Sequence, residues 1–151
     1  MLAAIRPDDV NVALLVHVFG AVVLVGALFT ASAAAIVGWR DEDGALRRLS
    51  YKTLLAVALP AWFVMRIGAQ WVYSEEHLDE LNEDPTWVVI GFVTAEPGGL
   101  LLLIALILGG IGLWRSRSGS GAGLLKASGV IATLLVAVYV VAVWAMGAKP
   151  D

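Results

Sequence analysis

Four long apolar stretches dominate this chain, and they restrict it to the lipid bilayer. They run over about 10–38, 53–73, 87–114 and 124–146, and each is long enough to cross a hydrocarbon core about 30 Å thick as an α-helix. A soluble domain of 151 residues could not hide them, because a chain this short leaves much of its surface in contact with solvent. Only 15% of the residues are charged, against about 25% in soluble domains. The expected fold class is therefore all-α: a polytopic membrane protein forming a single up-down four-helix transmembrane bundle over residues 1–151.

The charges lie mostly between the apolar runs, and their distribution predicts an orientation. Lysine and arginine accumulate on the cytoplasmic side of membrane proteins. The first and third connections with their flanks hold Arg40, Arg47, Arg48, Lys52, Arg115, Arg117 and Lys126, whereas the tails and the middle connection hold only Arg6 and Lys149. Loops 40–52 and 115–123 are thus expected in the cytoplasm and both termini outside. The middle connection, Ser74 to Thr86, carries six acids and no Lys or Arg, and a short surface helix is expected there. The net charge of −3 forms no basic face, so nucleic acid is not an expected partner. The absence of cysteine removes disulfides, iron–sulfur clusters and thiolate metal sites.

Several features bear on single helices. Pro7, Asp8 and Asp9 suit the start of the first span. The segment lacks the basic start and short apolar core of a secretory signal, although Ala31-Ser32-Ala33 resembles a cleavage site, so an uncleaved first span is expected. Small residues recur every fourth position, at Gly26, Thr30, Ala34 and Gly38 and at Ala27, Ala31 and Ala35. In lipid such rows let helices approach closely. Pro60 is expected to kink the second span. In the third, Glu96-Pro97-Gly98-Gly99 interrupts the apolar run, which leaves two possible starts, Trp87 or Glu96–Pro97, because proline also favours a first helical turn.

Two charges lie deep inside the apolar runs. Arg66 sits eight residues inside Ser74, about 12 Å below the surface at 1.5 Å per residue. Glu96 sits nine residues inside Trp87, about 13 Å down. A charge at the centre of a spanning helix costs about 2.5–3.5 kcal/mol on insertion scales and calls for a partner. The matching depths predict that the two meet, either as a pair fixing helix register or as part of a path for ions or a polar head group. His17 belongs to the same half, on a face shared with Ala13, Gly20, Leu24, Ala31 and Ala35. With Gln70 and Tyr73 near the Arg66 face, the candidate site is a polar intramembrane cluster of His17, Arg66, Gln70, Tyr73 and Glu96. A plainer reading makes His17 a histidine hydrogen-bonded to a neighbouring helix.

Few residues could support metal or redox chemistry. Bis-histidine haem ligation would need a second histidine beside His17, and His77 lies in the acidic connection. Copper could use His17 with the thioethers of Met65 and Met146. No serine, histidine and acid set suggests a hydrolase. No catalytic residue and no cofactor are expected.

The run His17-Val-Phe-Gly20-Ala-Val-Val-Leu-Val-Gly26 resembles the first helix of a bacterial family of small four-helix integral membrane proteins, domain of unknown function 2269. It is also distantly similar to the copper-resistance D type of membrane domain. The closing Val-Trp-Ala-Met146-Gly-Ala-Lys149-Pro150 resembles the ends of actinobacterial members. The resemblance implies a multi-pass protein of the bacterial inner (plasma) membrane and no particular activity; the copper-resistance likeness would transfer only His17. The leading expectation is a non-enzymatic accessory or scaffold subunit, with other membrane subunits or further copies of itself as partners. The alternatives are a small transporter or channel component for protons, copper or another small ion, and a haem-binding redox membrane subunit.

Overall fold

The computed structural model describes residues 8–77 and 85–148. The helices are α1 (Asp8–Val37), α2 (Ala45–Thr53), α3 (Leu59–Glu75), α4 (Thr86–Ser116) and α5 (Ala122–Ala148). A 3₁₀ turn, Gly38–Arg40, prolongs α1, and a π-turn, Leu54–Ala58, joins α2 to α3 in one rod from Ala45 to Glu75. The chain is thus four long rods with no strand among the described residues. All four are long and apolar enough to cross a membrane.

The second rod departs from expectation. Residues 45–52, read as a connection from their charge, are helical and start the rod eight residues before Thr53. Gly44 takes the left-handed conformation at φ 67°, the Asp41 carboxylate accepts from the Leu46 amide at 3.2 Å, and helix follows at once. Arg47, 8% exposed, turns back to donate to the Gly38 carbonyl at 2.9 Å. It thereby satisfies an acceptor at the end of the first rod, where helix carbonyls lack partners. Its charge is thus part of the helix end rather than of a solvated loop.

The two interior prolines are handled differently. Pro60 has no amide hydrogen for the ladder, and the chain absorbs this just before it. The Leu59 amide reaches back five residues to the Leu54 carbonyl, closing the π-turn. Pro97 lies within α4, which begins at Thr86; the alternative start at Glu96–Pro97 is not the one adopted. Interior prolines persist in membrane helices when neighbouring groups attend to the disturbed turn. Here the Trp62 indole donates to the Ala95 carbonyl at 3.3 Å, and Gly98 and Gly99 give Tyr139 and Trp62 room to lie against the backbone.

The rods form two antiparallel hairpins. The first rod packs on the second, α4 packs on α5, and α1 meets α5 to join them, while α3 and α4 keep their backbones apart. In the half of the bundle that holds the loops at 41–44 and 117–121, the loop half, the join is close. Leu24, Leu28, Leu54, Leu102 and Leu135 are fully buried there among Ala27, Ala31, Ala58, Ala105 and Ala132. Ser32 and Thr133 share a hydrogen bond of 2.8 Å, and Ala35 lies against Gly129. Of the two small-residue rows on α1, Ala27, Ala31 and Ala35 are buried, whereas Gly26 and Thr30 are exposed. The connection at 78–84, including the expected surface helix, lies outside the described residues, as do Arg6 and Lys149.

Candidate functional site

In the other half, which holds the start of α1 and the end of α5 and is called the terminal half, one seam is very tight. A Cβ at Gly68 would stand 2.5 Å from the His17 backbone nitrogen, and one at Gly20 would collide with the Met65 backbone. Glycine lets the backbones cross at that distance, and the crossing brings the His17 ring to α3. Its Nδ1 lies 3.0 Å from the Met65 carbonyl oxygen. This is the plainer of the two roles foreseen for the histidine. Its predicted face is buried throughout, with Ala13, Gly20, Leu24, Ala31 and Ala35 all inside the bundle.

The Arg66 and Glu96 side chains meet as their depths require. Arg66 donates to Glu96 Oε1 from Nε at 2.9 Å and from Nη2 at 2.6 Å, and its Nη1 donates to Gln70 Oε1 at 3.2 Å. The guanidinium also lies 5.2 Å from the centroid of the Phe92 ring, which Tyr73 meets edge-on at 5.4 Å. A cation over an aromatic face gains from the ring quadrupole. The pair thus bridges α3 and α4 where their backbones stand apart. It is not deeply enclosed: the Arg66 side chain is 23% exposed and that of Glu96 59%.

Beside this bridge the hairpins part, and a crevice of about 530 Å³ opens between all four rods. Val18 and Val22 of α1 and Val143 of α5 line it with Val72 and the aromatic rings of Tyr73, Trp87 and Phe92. The wall is apolar apart from a few groups, among them His17, Arg66, Thr94 and Tyr139. Tyr139 is 4% exposed, and its hydroxyl, beside Trp62, completes no hydrogen bond among the described residues.

The expected cluster therefore divides. Arg66, Gln70 and Glu96 form the bridge; His17 lines the crevice; Arg66 and Tyr73 belong to the crevice wall as well. Tyr139 and Trp62 complete the region. Trp62 falls near the Arg66 face by helical period, whereas Tyr139 did not stand out, because a tyrosine in an apolar run is ordinary until its neighbours are known. The metal candidates His17, Met65 and Met146 all line the crevice, and His77 does not. No group of three or more His, Asp or Glu among the described residues is arranged to hold a metal ion. Comparison with known protein families, curated proteins and solved structures gives no match to this chain.

Proposed function

We propose that the chain is a non-enzymatic subunit of the bacterial plasma membrane, an accessory or scaffold component that works by association within the bilayer through the α3/α4 flank. The observation that carries this reading is the exposure of Glu96 at mid-helix. A carboxylate left facing lipid is costly, and its occurrence marks a place where a polar companion belongs. Around it Phe63, Ile67, Val93 and Leu100 are exposed and apolar, which suits a packed helix interface.

The occupant that fits best is a second copy. Arg66 and Glu96 lie level in the bilayer, one on each of two neighbouring rods. A two-fold rotation about the membrane normal therefore sets the arginine of one protomer opposite the carboxylate of its partner, twice over. Two-fold interfaces require this self-complementarity. The lysine and arginine asymmetry supports both termini outside, and the likeness of the His17 helix to domain of unknown function 2269 agrees with the four-helix, non-catalytic reading.

The test is oligomeric state in nanodiscs across protein-to-lipid ratios, read by energy transfer between labelled chains. Wild type should associate, Glu96→Gln and Arg66→Gln should each weaken association about tenfold, and the exchanged pair Arg66→Glu with Glu96→Arg should recover most of it. Truncating one partner of a close charge pair at an interface commonly has an effect of that size or more. Association unchanged by the single variants would overturn the reading.

A further inference from the structure

The crevice is separate from the flank, and its wall carries a histidine with one ring nitrogen already engaged. A carbonyl oxygen only accepts hydrogen bonds, so the contact between His17 Nδ1 and the Met65 carbonyl places the hydrogen on Nδ1. The neutral ring then offers Nε2 as a lone pair. The buried Tyr139 hydroxyl can accept or donate and has no bonded partner among the described residues. Both belong to the wall of a crevice that is otherwise nearly all apolar. Its volume of about 530 Å³ falls within the span of roughly 300–1,000 Å³ common to small-molecule sites.

Charge narrows the ligand further. Between Arg66 and Arg115 the chain has no lysine or arginine, and Ser74 to Thr86 holds six acids. Arg66, the cation in the wall, is already committed to Glu96 and Gln70. An anionic head group would find Glu76 in the wall and Arg66 already paired. A ligand that only accepts hydrogen bonds would leave Nε2 unanswered.

We propose that the crevice binds a neutral, elongated amphiphile of the phenol or alcohol class, such as an isoprenoid quinol, whose hydroxyl donates to His17 Nε2. Its chain lies along the valines of α1 and α5. The site thereby distinguishes a hydroxyl from the corresponding ether or carbonyl.

The probe is a diazirine-tagged decylphenol, photo-crosslinked to the protein in nanodiscs and mapped by mass spectrometry. It is competed with untagged decylphenol or with decylphenol methyl ether. These two competitors differ only at that oxygen, which carries a hydrogen in one and a methyl group in the other. Labelling should fall on the crevice wall. Decylphenol should compete about tenfold better than the ether in wild type, the expected penalty for an unanswered buried acceptor. Comparison with His17→Phe cancels the difference in membrane partition, and there the preference should shrink to that difference alone. A preference equal in both proteins overturns the hydroxyl assignment while keeping the crevice as a site. Label spread evenly over lipid-facing residues overturns the site itself. Nitrogen NMR on wild type needs no variant: with only two histidines in the chain, His17 Nε2 should read as unprotonated and move on adding decylphenol but not its ether. A resonance that ignores both compounds counts against the proposal.

Discussion

The loop half and the terminal half are built from the same four rods, yet they close differently. In the loop half, alanines and glycines face one another across α1 and α5, backbones come close, and polar groups are met inside the protein: Ser32 by Thr133, Arg47 by the Gly38 carbonyl. In the terminal half the α1/α3 seam is equally close. Valines and aromatic rings line the opening between the two hairpins, and an ion pair spans α3 and α4 where backbone packing does not. Helices in lipid gain little from hydrophobic association, so close packing depends on small residues and interhelical hydrogen bonds. Where valines and aromatic rings stand between the two hairpins the bundle opens, although Ala21, Ala69, Gly91, Ala95 and Ala142 line the crevice beside them. The difference between the halves is one of side-chain size, and it separates a part that holds the bundle together from a part able to hold a ligand.

The comparison breaks most visibly at the exception, the glycine crossing of α1 and α3. Gly68→Leu puts a branched side chain where even a Cβ would stand 2.5 Å from the His17 backbone nitrogen. Overpacking of this kind commonly costs 1–3 kcal/mol, and a branched chain against backbone belongs at the upper end, about 3 kcal/mol. Gly26→Leu is the control, since nothing lies within 4 Å of a Cβ there, and it should fall within about 0.5 kcal/mol of wild type, as surface changes do. Unfolding in mixed micelles measures both. Equal stabilities would mean that the seam is looser than its geometry.

A smaller effect is expected from the buried arginine of the loop half. Arg47→Met keeps the length of the side chain and removes its hydrogen bond to the Gly38 carbonyl. Stability should fall by about 2 kcal/mol, within the range for hydrogen bonds to charged groups. Part of any loss is offset because Arg47 Nε is itself buried without a partner. Amide exchange after Gly38 should also quicken as the end of the first rod loosens. A variant as stable as wild type would show that Arg47 serves only to set orientation.

How much of this could be read beforehand follows from what each feature depends on. The four spans rest on local hydropathy, and they stand in the structure with longer ends. The meeting of Arg66 and Glu96 rests on counting residues from the interface, and an antiparallel pair of regular helices preserves that count. The face of His17 rests on helical period alone. The early start of the second rod was hidden because Arg47 and Arg48 look like loop charges until the Gly38 carbonyl is seen beside them. The crossing of Gly20 with Gly68 was hidden for another reason: each glycine is unremarkable until the register between two rods is fixed. The crevice was least legible of all. Open volume arises from what four separated segments jointly fail to fill, and no single stretch of sequence contains it.

The smallest expected effect tests that last point. Ala142, on α5, lines the crevice, whereas Ala132, ten residues earlier on the same rod, is fully buried in the loop half. Ala132→Leu should destabilise by about 1–3 kcal/mol, because added methylenes there displace a filled interior. Ala142→Leu adds the same atoms toward open volume, and stability should change by no more than about 0.5 kcal/mol. Thermal unfolding of the two variants side by side gives the comparison, and the decylphenol label gives its functional counterpart. A stable Ala142→Leu protein should take up the label poorly, because the space is occupied rather than the fold damaged. Were Ala142→Leu as destabilising as Ala132→Leu, the rods would have to lie together in the terminal half as tightly as in the loop half, and the size difference between the two sets of facing residues would no longer explain how this bundle divides.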